Sequence, residues 1–199
     1  MKLKALFPLY LAVVFAVPGA MIYCHETILK TGEPYLFKTR PVDPYDLFRG
    51  RYVSLAFEQD TFDYKGSEYF DAKGKVYAVL GQDAQGFASI VSLTRVKPKD
   101  GAYLKVRVAW HETSRWVYDE KTKQGENVAV NTVHLLLPFN RFYMNEKKAP
   151  KAEDYYRRVH TEAQEKKTEV NLSAQVRVLK GHGILEKVLA EGKPLEEQV

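Results

Sequence analysis

Residues 5–24 carry no charged side chain, and Lys2 and Lys4 stand immediately before them. A helix of that length, rising ~1.5 Å per residue, matches the roughly 30 Å hydrocarbon core of a bilayer. A positive flank stays cytoplasmic, so the sequence predicts that His25 and everything after it lie outside. Tyr10 and Tyr23 then fall near the two interfaces. The competing reading is a cleaved signal peptide with 6–17 as its apolar region and Pro18-Gly19 breaking the helix. Cleavage after Gly19 would put Val17 and Gly19 where Ala-x-Ala is favoured. Two weaker readings are lipidation at Cys24, preceded by the bulky Ile22-Tyr23, and a buried core helix, for which the stretch lacks an amphipathic face. The retained anchor leads: 1–24 as a membrane anchor, 25–199 as an exported domain. Either leading reading exports the domain.

The 199 residues suit one domain plus a small extra segment, and a 45% hydrophobic share is ample for a packed core. The 13 tyrosines and 10 phenylalanines favour strands, where flat rings pack on a pleated surface. The net charge is +5, but with Lys2 and Lys4 set aside the signs nearly balance. The sequence therefore implies no nucleic-acid partner. Runs such as Lys147-Lys148 and Glu165-Lys166-Lys167 read as solvated faces. With Cys24 the only cysteine, an intramolecular disulfide and a cysteine-based zinc cluster are both excluded.

Period-two alternation dominates the chain beyond the anchor. Residues 27–40 look extended, and Pro41 and Pro44 then force a non-helical bend with turn chemistry at Asp43-Pro44-Tyr45-Asp46. Gly50 leads into a strand over 51–58, with Val53, Leu55 and Phe57 on one face and Tyr52 on the other. Leu104, Val106, Val108 and Trp110 share a face opposite Lys105 and Arg107. Val170, Leu172, Ala174, Val176 and Val178 alternate with polar residues, and 75–80, 87–96, 127–137 and 184–189 complete the set. Turn signals fall at 81–83, 99–101, 124–127 and 181–183, of which 99–101 and 181–183 read as hairpins. After Pro150, residues Ala152, Tyr155, Tyr156, Val159 and Ala163 have helical spacing. The expectation is a mainly β (α+β) fold: an antiparallel barrel or sandwich of about eight strands with one helix, preceded by a transmembrane helix.

Chemistry-bearing patterns are sparse. His25, His111, His134, His160 and His182 show no metal-ligand spacing, and His134 reads as a hydrogen-bonded strand residue. There is no G-x-S-x-G, no phosphate loop and no G-x-G-x-x-G, and no cofactor is implied. Ser54, Ser67, Ser89 and Ser92 could each meet a lysine in space, with nothing in the spacing to select one. Asp43 and Asp46 read first as turn-forming side chains, and second as ligand-facing groups beside Arg49 and Arg51.

Residues 41–57, PVDPYDLFRGRYVSLAF, resemble the signature of the GDYXXLXY family of uncharacterised membrane-anchored bacterial proteins. Gly50, Tyr52 and Leu55 match the motif, while Arg51 replaces its acidic residue and Phe57 its final tyrosine. The resemblance continues through 138–153, an aromatic-rich stretch leading into a helix, and through the glycine-bounded hairpin of 176–195. It adds Arg141, Tyr143, Glu146 and Glu153 to Asp43, Asp46, Gly50, Arg51, Tyr52 and Leu55 as candidate interaction residues. It implies a single-pass protein of the bacterial inner membrane with a periplasmic domain, beside a multi-pass membrane partner. On this reading the domain is a non-enzymatic accessory module. Two alternatives stay open: an envelope hydrolase with a signal-peptidase-like β fold, and a small-ligand domain with a cavity rimmed by Tyr52 and Tyr143.

Overall fold

The computed structural model describes residues 3–40, 52–119, 124–143, 148, 151–152, 154–155, 158–159, 161–162, 172–190 and 192–195. Helix α1 spans Leu3–Thr31. Within it Tyr10–Thr31 is long and apolar enough to cross a membrane, and its most apolar stretch has nothing packed over it. The helix therefore outruns the predicted anchor, and residues 27–31 are not extended as the composition suggested. The threonines there suit a helix by bonding back one turn: Thr27 Oγ1 donates to the Tyr23 carbonyl and Thr31 Oγ1 to that of Thr27. A Glu26–Lys30 pair one turn apart adds to this.

Gly32 alone separates α1 from the first strand. Twelve strands come after it among the described residues: β1 (Glu33–Arg40), β2 (Tyr52–Ser54), β3 (Ala56–Phe57), β4 (Thr61–Asp63), β5 (Lys75–Gln82), β6 (Ala88–Thr94), β7 (Tyr103–Asp119), β8 (Gln124–Leu136), β9 (Arg141–Tyr143), β10 (Leu172–Leu179), β11 (His182–Ala190) and β12 (Lys193–Pro194). They form two antiparallel five-stranded sheets, ordered β12-β11-β10-β1-β3 and β4-β8-β7-β5-β6, and a small β2-β9 ladder. The arrangement is sandwich-like and not a closed barrel, with more strands than the alternation indicated, some of only two or three residues and β7 reaching 17.

Three further expectations are corrected. The 51–58 run is two strands because the chain changes partner along it: 52–54 pair with β9, a ladder that the Leu55 amide closes on the Asn140 carbonyl (3.0 Å), and 56–57 pair with β1. The turn at 99–101 is not a hairpin: β5 lies between β6 and β7, so this connection crosses over it. Residues 124–127 are strand, not turn, since β8 already pairs at Gln124 with Asp119. The 181–183 turn is a true hairpin, joining β10 to β11 through Lys180 and Gly181 in the left-handed region.

The core sits between the sheets. Val76, Ala78 and Leu80 of β5, Leu104, Val106 and Val108 of β7, and Leu172, Ala174, Val176 and Val178 of β10 are all buried, as period two requires. Phe37 of β1, Phe57 of β3 and Phe139 after β8 meet edge to face, with centroids 5.0–5.9 Å apart. This trio ties the first sheet to the second. The described residues within 151–162 are helical, and Ala152, Tyr155 and Val159 pack on the core as their spacing predicted.

Candidate functional site

The two segments singled out by resemblance form one ladder. β2 and β9 pair antiparallel, placing Tyr52 opposite Tyr143, Val53 opposite Phe142 and Ser54 opposite Arg141. Leu55 and Phe142 point into the core, while Tyr143 is exposed. The ladder thus anchors itself through one face and presents Tyr143 to solvent. Asp43, Asp46, Gly50, Arg51, Glu146 and Glu153 lie outside the described residues, as does the Tyr52 side chain.

A second constellation, which no sequence motif announces, stands on the outer face of the β4-β8-β7 sheet. It exists because of a bulge. Val108 pairs with Leu135, but Trp110, not Ala109, pairs with His134. The extra residue reverses the parity of β7 beyond it, so Trp110 leaves the core face on which strict alternation had placed it. Trp110 is 55% exposed, and its indole stacks on His134 with centroids 4.1 Å apart and planes 19° apart.

Register assembles the rest. Thr61 and Trp110 flank His134 in one cross-strand row, and Asp63 and Glu112 flank Thr132 in the next. Glu112 accepts two hydrogen bonds from Arg115, Nε to Oε1 at 2.9 Å and Nη2 to Oε2 at 2.5 Å. Its Oε2 also lies 3.4 Å from His134 Nε2. The Arg115 hydrogen bonds, aided by His134, hold the Glu112 carboxyl down at about 2. Glu112 is therefore a fixed anionic acceptor and no proton donor near neutrality. Thr132 Oγ1 donates to Asp63 Oδ1 at 2.7 Å.

The short 3-10 turn Glu58–Asp60 borders this face. Arg40 donates to Asp60 Oδ2 at 2.6 Å, yet burial pushes the Asp60 carboxyl up against the pull of Arg40 and His134. Asp60 Oδ1 and Gln59 Oε1 are buried with no hydrogen-bond partner among the described residues.

His111 has a different task. The Phe70 amide donates to its Nδ1 at 3.0 Å, so the proton sits on Nε2, which donates to Asn131 Oδ1 at 2.6 Å. Asn131 Nδ2 in turn donates to the carbonyls of Tyr64 (2.6 Å) and Gly66 (2.8 Å). The His111 ring and the Asn131 amide are thus both occupied in strapping the 64–70 loop to β7 and β8. No three His, Cys, Asp or Glu side chains among the described residues are grouped to hold a metal ion.

The only signal for the Trp110 cluster in the sequence is the polar-aromatic run Trp110-His111-Glu112, where alternation fades. Nothing in that run reveals the bulge.

No curated protein and no solved structure matches the chain. The GDYXXLXY protein family matches it over residues 14–188, which covers the end of α1, both halves of the β2-β9 ladder and the β10-β11 hairpin. The chain is a member of the GDYXXLXY family.

Proposed function

We propose that this protein is a membrane-anchored accessory domain, held on the periplasmic side of a bacterial inner membrane by α1 and working beside a multi-pass membrane partner. The observation that carries the reading is the junction between anchor and domain. α1 runs into β1 through Gly32 with no linker, and the Gly32 amide still bonds the Ile28 carbonyl at 2.8 Å. A Cβ on Gly32 would come within 2.5 Å of that carbonyl oxygen, so the tight passage needs glycine.

Arg177 of β10 reaches back to fix this point, donating to the Gly32 carbonyl at 3.2 Å. Glu186 holds Arg177 in turn through a 2.6 Å hydrogen bond. Arg177 keeps the Glu186 carboxyl below its usual range, so the clamp is ionised at neutral pH. A domain tied to its helix in this way cannot search at the end of a flexible tether. Its surfaces stay at fixed positions relative to the bilayer, which suits a subunit that complements a neighbouring membrane protein.

Cross-linked affinity purification from membranes in mild detergent tests this. A multi-pass protein should be recovered with the full chain and lost with a form lacking residues 1–24. Recovery of no membrane protein with the full chain, or turnover of a substrate by the purified domain alone, would contradict it.

A further inference from the structure

We propose that the outer face of the β4-β8-β7 sheet is a glycan-binding platform, with Trp110 as the surface on which a neutral sugar ring stacks. Three features carry this. The first is the pose of the indole. A bulge turns Trp110 out of the core, and His134 backs it at 4.1 Å in near-parallel stacking. The stacking holds the ring rigid, so little side-chain freedom is lost when a ligand lands on it.

The second is the chemistry around the ring. Glu112, Asp63 and His134 stand beside or one row from Trp110, and Arg115 reaches Glu112 from farther along β7. They supply fixed acceptors and donors at the edge of an apolar plane. That combination is what a pyranose needs, with C–H groups on its faces and hydroxyls around its rim.

The third is charge balance. Glu112 is already paired with Arg115, and Asp63 already accepts from Thr132. The Arg115 charge is taken by Glu112, so an anionic ligand would have to break a bidentate pair to gain it and would meet the Asp63 carboxylate besides. A neutral polyhydroxylated ligand can instead share the outward lone pairs and N–H groups of pairs that stay intact. Arg115 retains that capacity, since its side chain is 50% exposed.

This platform does not depend on the accessory-domain reading, because binding is read without any protein partner. The test uses the full chain in a non-glycosidic detergent, titrated calorimetrically with the tetramers of N-acetylglucosamine and of glucose. At least one tetramer should bind saturably, and Trp110→Ala should weaken it at least tenfold. Trp116→Ala should leave it within twofold. In a Trp116→Phe background Trp110 is the sole tryptophan, so its emission should shift with the same midpoint. A thermal unfolding curve for Trp110→Phe, which keeps a ring in place, guards against loss of binding through misfolding; this variant should keep more affinity than Trp110→Ala. Failure of both tetramers to bind the wild-type chain, or equal binding by Trp110→Ala, overturns the proposal.

Discussion

Phe37→Ala is expected to destabilise the domain by about 4–5 kcal/mol, at the upper end of what removing a buried phenylalanine costs. Phe37 is fully buried in β1 and touches Phe57 and Phe139 edge to face. Phe57 belongs to the neighbouring strand of the same sheet, whereas Phe139 closes the turn after β8 in the other sheet. Truncation therefore opens a cavity at the seam, and it also removes two ring contacts that each contribute about 0.5–1.5 kcal/mol. Phe57 cannot collapse into the gap without leaving its ladder with β1.

Against a domain stability of roughly 5–15 kcal/mol, such a loss brings the fold close to its limit. Urea unfolding of the full chain in detergent, followed by near-ultraviolet circular dichroism, should show the midpoint falling by about 2 M at an m-value near 2 kcal/mol/M. Leu136→Ala, at a half-exposed position on the outer face, should stay within about 0.5 kcal/mol. A Phe37→Ala loss under about 1.5 kcal/mol would mean that the two sheets do not depend on the aromatic seam.

Gly181→Val should cost about 2–5 kcal/mol. Gly181 has φ +88°, a left-handed conformation that charges a β-branched residue about 1–2 kcal/mol. A Cβ there would also lie 2.8 Å from Tyr103 Cε2, and overpacking of this kind adds about 1–3 kcal/mol. The position matters beyond its own turn. The Lys105 amide donates to the Gly181 carbonyl at 2.8 Å, so the β10-β11 hairpin is also where the first sheet meets β7 of the second. Gly101 separates the two causes: its φ is +82° but a Cβ would meet nothing within 4 Å. Gly101→Ala should therefore lose only the conformational part, about 1 kcal/mol. Equal losses at Gly101 and Gly181 would remove the packing argument.

Much of the sheet content is legible in the sequence because it is local. In β5 and β10 every second residue is apolar and buried, and Gly181 between two such runs gives the hairpin away. The features that are not legible depend on distant partners. Lys99-Asp100-Gly101 has good hairpin chemistry, but a turn cannot say which strand its neighbour pairs with, and β5 occupies the place between β6 and β7. Trp110 continues an apolar alternation that one extra residue, Ala109, overturns. Because the sequence carries no mark of that bulge, the Trp110 cluster cannot be assembled from it. The end of α1 is obscured for a related reason: threonine and isoleucine favour strands, but Thr27 and Thr31 can bond back into a helix that is already running. For the motif, the residues point to two segments, and only the β2-β9 register sets Tyr52 opposite Tyr143 in one ladder.

That α1 spans a membrane and holds the β domain outside the cytoplasm is the central claim, and the accessibility of one engineered cysteine tests it most directly. Cys24→Ser removes the only native thiol, and Val91→Cys then places a thiol at an exposed position on β6. Spheroplasts carrying this variant are treated with a membrane-impermeant maleimide, alongside a Lys2→Cys variant as the cytoplasmic reference. Position 91 should be labelled in intact spheroplasts, and position 2 only after lysis. Labelling of position 91 only after lysis would place the domain in the cytoplasm and contradict the claim.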